Sequence, residues 1–285
     1  MWQGSGWHRD LPDHRDFTLR HEIVSAATAR LAALDGQRPD KVDWRDYFPP
    51  VERQRPLAAS SVEACVGMVL YFERRAHGRQ LEPSRLFVYK NARRLLRWTG
   101  DCGATLRSTL KAIRRFGLPP QSLWPDCLEN LDREPDAFAY SYEEETRRMT
   151  YVRIDARNVP GAVVLESACS LLAGGFCFVL GFPLNGVVGG SAMLSYPTLL
   201  DSSHGGQAVV AVGYDDRLRI RSDKGALLVR NSWGADWGEA GYGWLPYAYV
   251  RDGLAADLWT VVQPAWLESG EFRRPEMAAS LTADE

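Results

Sequence analysis

The segment Arg230-Asn231-Ser232-Trp233-Gly234-Ala235-Asp236-Trp237-Gly238-Glu239-Ala240-Gly241-Tyr242-Gly243 leaves a chain few ways to fold. Four glycines and two tryptophans fall within it. That is too much glycine for a helix interior, where each one costs about 1 kcal/mol against alanine. The apolar run 225–229 before it, bounded by turn residues, reads as a buried strand. Asn231 is therefore delivered at a strand end with indole rings close by. On composition alone this is a turn flanked by core tryptophans. The same arrangement also suits the orienting member of a catalytic triad, which hydrogen-bonds the base in a site kept free of water.

Composition narrows the functional classes. A chain of 285 residues, 45% hydrophobic and 25% charged, is ordinary globular material with ample core. Its formal charge of −2 gives no basic field for nucleic acid or an anionic membrane. The five cysteines, Cys65, Cys102, Cys127, Cys169 and Cys177, show neither metal-ligand spacing nor a disulfide framework. The first sixteen residues lack the apolar core of a signal peptide, and no run of 18 apolar residues follows. A reducing, cytoplasmic location is expected, with no metal, no cofactor, and neither nucleic acid nor membrane as partner. No GxGxxG, Walker loop or HExxH is present.

The string NSWGxxWGxxGY at 231–242 resembles the asparagine block of papain-like cysteine peptidases. Further stretches carry the same resemblance. Residues 6–16 (GWHRDLPDHRD) are similar to the GWxxDLPDxRD opening of bacterial members. Residues 42–51 contain VDWR followed by PPV, 81–93 resemble a family helix, and 101–107 (DCGATLR) match D-S-G-A-T-x-R. The resemblance spans roughly residues 6–262. It implies an α+β, papain-like two-lobe fold: a helical lobe, a β-barrel-like lobe, and a cleft between them. The expected organisation is an N-terminal arm over 1–50 packing on the core, a helical lobe over 51–126, a β-rich lobe over 127–263, and a loosely held polar tail over 264–285.

In register, Gln54 matches the glutamine whose amide contributes to the oxyanion hole, and Ser60 falls where the cysteine nucleophile should be. Ala58 and Ala59 stand where the pattern has glycine and serine. Gly205-Gly206 and Val212-Gly213-Tyr214 fix a strand in which the histidine base should be residue 207. That residue is Gln207. The resemblance therefore implies a degenerate site of Ser60, Gln207, Asn231 and Gln54, with Gly103, Ala104, Gly206 and Trp233 lining a substrate cleft. An alcohol has a far higher pKa than a thiol, and a carboxamide neither takes nor gives a proton near neutrality. The expected function is that of a pseudopeptidase whose cleft binds a peptide or protein segment without cutting it. Two alternatives stay open: an enzyme of non-proteolytic chemistry in the old cleft, and a residual peptidase using Ser60 and His204.

Periodicity supplies the remaining expectations. Val62, Cys65, Val66, Val69, Leu70 and Phe72 predict a buried helix, with Ser60-Ser61-Val62-Glu63 as its capping box. Helices are expected over 20–36, 105–116 and 161–174. Strands are expected over 151–154, 176–182, 207–214 and 225–229, with a glycine-rich loop over 183–200 and an arm without secondary structure over 1–20.

Overall fold

The structure, a computed structural model, describes residues 6–21, 38–54, 56–185, 191–198, 201 and 203–272, with only the backbone at 143, 145, 185, 203 and 204. The helix expected over 20–36 lies almost wholly outside the described residues. Long helix α1 (Ser60–His77) packs with α2 (Arg85–Leu96) and α3 (Leu106–Phe116) on one side of the molecule. After them come the short α4 (Glu143–Arg147), then α5 (Gly161–Ala173), α6 (Ala248–Arg251) and α7 (Pro264–Glu268).

The strands are β1 (Trp7–His8), β2 (Lys41–Asp43), β3 (Ala104–Thr105), β4 (Thr150–Arg153), β5 (Phe178–Asn185), β6 (Ser203–Ile220), β7 (Asp223–Arg230), β8 (Tyr242–Pro246) and β9 (Ala256–Val262). Seven of them form an antiparallel sheet in the order β4-β9-β5-β6-β7-β8, with β2 also pairing with β6. The fold is α+β with two lobes, as expected. The sheet path ends at β4 and β8 and does not close into a barrel.

Helix α1 is buried on nearly every side because it packs against α3 on one flank and β6 on the other. Two of its hydroxyls are satisfied by backbone. The Ser61 hydroxyl donates to the Ala104 carbonyl at 2.8 Å, and the Tyr71 hydroxyl to the Gly175 carbonyl at 2.8 Å. The Arg75 guanidinium lies 4.1 Å from the centre of the Trp44 ring, a cation–π contact in a desolvated place.

The predicted capping box does not form. Ala59 is the N-cap, its carbonyl accepting from the amides of Val62 and Glu63 at 2.9 and 3.0 Å, and Ser60 is already the first helical residue. Glu63 reaches sideways instead, accepting from Arg85 Nε at 2.7 Å. Side-chain caps do start the neighbouring helices, with Ser84 accepting from the Phe87 amide and Thr105 from the Ser108 amide.

Other expectations shift at the edges. Strand β5 runs on through Asn185, so the glycine-rich segment begins later than 183, and 186–190 and 199–200 lie outside the described residues. The arm is not bare of secondary structure, because Trp7–His8 pairs in parallel with Ala104–Thr105. The beginning of the tail is not loose. Trp266 is 2% exposed and stacks on Phe72 at 4.8 Å, its indole N–H donating to Glu73 Oε1 at 2.8 Å. Two aromatic residues in a polar stretch were enough to pin it, since Phe272 also stacks on Phe72. Truncating Trp266→Ala leaves a cavity and a buried carboxylate short of a donor. It is expected to cost about 3–5 kcal/mol in urea unfolding, whereas a loosely held tail would show less than about 0.5.

Candidate active site

The family-matched positions converge at the join between α1 and β6. Ser60 opens α1 and is fully buried, its Oγ accepting from the Ala208 amide at 3.3 Å. Residue 207 precedes that amide in the strand, so Ser60 and Gln207 are brought side by side. Gln207, also fully buried, donates from Nε2 to Asn231 Oδ1 at 2.7 Å. The same Asn231 oxygen accepts from the Ser232 amide at 2.9 Å. Asn231 sits just past β7, where its amide donates to the Gly241 carbonyl at 3.0 Å. Trp233 and Trp237 are buried beyond it in an edge-to-face pair, ring centres 5.2 Å apart. The glycines of this block make the packing possible: a Cβ on Gly243 would meet the Trp237 ring at 2.5 Å.

The polar chain runs away from Ser60 rather than toward it. Gln207 Nε2 lies 3.4 Å from Ser232 Oγ, which donates to Gln54 Oε1, while Gln54 Nε2 is held by the Leu57 carbonyl at 2.9 Å. Gln207 Oε1 is buried without a hydrogen-bond partner. An orphaned amide oxygen of this kind costs about 1–3 kcal/mol. One consequence is chemical: a carboxamide offers no basic nitrogen, so the side chain at 207 cannot itself take a proton from the Ser60 hydroxyl near neutral pH.

Cys65 does not substitute for the missing thiol. It lies in the α1 core, fully buried, and burial pushes its pKa well above the ordinary thiol value. All five cysteines are unpaired. Burial lifts the Cys169 thiol to about 12 and raises Cys177 and Cys102 as well. Glu63 is not placed as a replacement base, since its carboxylate turns to Arg85 Nε at 2.7 Å. The side chain of His204 lies outside the described residues. Among the described residues no cluster of three metal-ligating side chains occurs.

Sequence reasoning missed how the arm meets the site. Gly6 lies directly on the Ala58 carbonyl, which a Cβ there would meet at 1.9 Å, and its φ of +75° suits glycine. Its own carbonyl accepts from the Ala104 amide at 2.9 Å. The Trp7 indole covers Gly181 of β5 and Gly206 of β6, where added Cβ atoms would stand 2.0 and 2.4 Å from it. Trp7 Nε1 donates to Asp257 Oδ2 at 3.2 Å, and the Asp10 amide donates to the same oxygen at 2.7 Å. Three of the residues expected to line a substrate cleft, Gly103, Ala104 and Gly206, thus touch the chain's own arm. The signal in the sequence was Gly181 and Gly206 within or beside apolar runs, together with Trp7 in a polar arm.

Beneath the arm is a buried charge cluster. Asp10 accepts from Trp259 Nε1 and the Arg107 amide, both at 3.1 Å; Asp16 pairs with Arg107 at 2.6 Å; Asp257 and Asp155 pair with Arg153 at 2.9 and 3.0 Å. Four carboxylates share two guanidiniums. Burial raises Asp10, Asp155 and Asp257, with the Asp10 charge adding to the rise at Asp257, which reaches about 7.

A papain-like two-lobe fold is the class that this architecture defines. The papain family cysteine protease model matches residues 192–253. The chain is 30% identical over 276 residues to a protein of Acanthamoeba polyphaga mimivirus named as an uncharacterized peptidase C1-like protein, covering 90% of this chain and 86% of the viral one. It therefore belongs to the papain family. Among solved structures it is similar to xylellain, a cysteine protease from Xylella fastidiosa, with 28% identity, TM-score 0.72, and 92% and 96% of the two chains covered. Digestive procathepsin L 3 of the Tenebrio molitor larval midgut shares the fold at 18% identity and TM-score 0.58, with 79% and 70% covered.

Two outcomes are expected. In the native protein, iodoacetamide at pH 7 should leave Cys65 and Cys177 unlabelled; fast alkylation of either would place a reactive thiol where burial forbids one. The second follows from Asp257, whose raised pKa means that the docked arm holds a proton which the released arm does not. Docking is then strongest below about pH 4 and weakens as pH climbs to about 7, by up to about tenfold per unit for one proton. Hydrogen exchange at the amides of residues 7–10, corrected for intrinsic rate, should show this loss of protection. In Asp10→Asn, which removes one carboxylate of the surplus and keeps an acceptor for Trp259, the profile should flatten.

Proposed function

We propose that this chain is a catalytically silent member of the papain family whose cleft binds a peptide or protein segment without cleaving it. The observation that carries the reading is the Gln207 carboxamide, bonded to Asn231 at 2.7 Å, in the position matched to the base. Covalent catalysis by a thiol or alcohol needs a neighbouring group that accepts its proton, and an amide cannot. Ser60 then serves as a buried acceptor for the Ala208 amide, and Gln54 as part of the network around Ser232. Support for peptide binding comes from the arm itself, which lies extended against Ala104 in the way an added strand would. The five unpaired thiols support a reducing, cytoplasmic home. No helix among the described residues is long and apolar enough to cross a membrane.

Hydrolysis of a peptide library by the wild type should not rise above a heat-killed control. The double variant Ser60→Cys with Gln207→His restores thiol and imidazole but should regain only weak activity. The Gln54 Nε2, matched to the oxyanion donor, is instead tied to the Leu57 carbonyl at 2.9 Å, and a displaced oxyanion donor costs roughly 10²–10³ in rate. Wild-type turnover abolished by Ser60→Ala would reject the silent reading; loss also in His204→Ala would replace it with a Ser60/His204 peptidase.

A further inference from the structure

The arm's contacts amount to a short linear code. Gly6 is required by the Ala58 carbonyl and by its positive φ. Trp7 is required by a slot floored with two glycines and ended by the Asp257 carboxylate. Three residues after the tryptophan, a backbone N–H meets Asp257 and a side-chain oxygen meets Trp259 Nε1 and the Arg107 amide. The residues between, His8 and Arg9, are exposed. Recognition through one ring, one glycine, a two-residue strand and one side-chain acceptor is what a peptide site offers, and none of it requires covalent continuity with the rest of the chain.

The resident sequence is also not the best fit at neutral pH. Asp10 and Asp16 bring two carboxylates to a place that already holds Asp257 and Asp155, against Arg107 and Arg153 alone. The acceptor role of Asp10 needs an oxygen, not a charge. Like charges in a buried site repel strongly, so a neutral acceptor is preferred there. An asparagine would keep the bonds from Trp259 and Arg107 without bringing a charge.

We propose that the cleft is a receptor for an extended segment of another protein carrying Gly-Trp-X-X-Asn or Gly-Trp-X-X-Asp, with the chain's own arm as its resident, displaceable competitor. The segment runs parallel to Ala104–Thr105, its indole over Gly181 and Gly206. This rests on the reading of the cleft as a binding surface. It is tested by binding rather than turnover, so the two fail separately: cleavage of the segment would sink the silent reading and leave the recognition code standing.

Tethering gives the arm an effective concentration in the millimolar range, so the full-length protein must be used with its arm intact and with its arm loosened. The probe is a fluorescein-labelled synthetic peptide of residues 4–16. The receptors are the wild type, Trp7→Ala and Gly6→Ala. Anisotropy at pH 7.5 is expected to show at least about tenfold tighter binding to either loosened protein than to the wild type. The peptide bearing Trp7→Ala should not bind. The peptide bearing Asp10→Asn should bind about tenfold tighter than the native one at pH 7.5, with the gap closing at pH 5. On the wild type, saturating peptide should raise hydrogen exchange in the protein's own residues 7–10, a readout independent of how the variants fold. Binding indifferent to the indole, or no release of the arm by saturating peptide, overturns the proposal. Formation by the wild type of arm-exchanged dimers that exclude the peptide also overturns it and assigns the site to a second copy of the chain.

Discussion

The packing of the start of α1 against strand β6 is the contact on which the rest of the site depends. A buried helix leaves its first backbone N–H groups without intrahelical partners, and a buried strand has its own donors to satisfy. Here the Ala59 carbonyl serves the helix amides, and the Ser60 hydroxyl serves the Ala208 amide of the strand. That junction fixes residue 207 beside Ser60 whatever side chain it carries, and the β6–β7 pairing brings Asn231 behind it. The arrangement of these three positions is therefore held by backbone and core rather than by their side-chain chemistry.

The same junction explains why the substitutions are tolerated. Gln207 keeps a donor aimed at Asn231, and Ser232 with Gln54 extends the network in a neutral form. The cost is concentrated in one orphaned oxygen, Gln207 Oε1, a modest debit against the apolar core around α1. Serine at position 60 is smaller and less polarizable than a thiol but is a better acceptor for the Ala208 amide.

The arm adds a second layer. Its indole fills a slot that exists only because Gly181 and Gly206 lack side chains, and its acids complete a cluster that is short of cations. One contact favours docking at any pH; the other opposes it as the carboxylates ionise. An element held by opposing terms of this kind responds to pH and to competitors more readily than one held by burial alone.

Much of this was legible in the sequence. The glycine–tryptophan block around Asn231 announced the family, and the registers set by Val212-Gly213-Tyr214 and by Gln54 named the positions that the fold brings together. Within the described residues the strand and helix expectations held, because long apolar runs admit few alternatives; the helix expected over 20–36 lies outside them. What failed were readings that depended on partners distant in sequence. The capping box at Ser60–Glu63 satisfied a local pattern, but Arg85 competed for Glu63 and the Ala208 amide for Ser60. The tail looked polar because Trp266 and Phe272 find their apolar partner, Phe72, almost two hundred residues away. The arm looked featureless because its partners, Gly181, Gly206 and Asp257, lie on strands that say nothing about it individually. Sequence by itself determined which groups are present and so which proton transfers are impossible. Only the tertiary structure decided which buried surface each group would meet, because burial, and with it every pKa and every orphaned oxygen, is a property of neighbours brought together by folding.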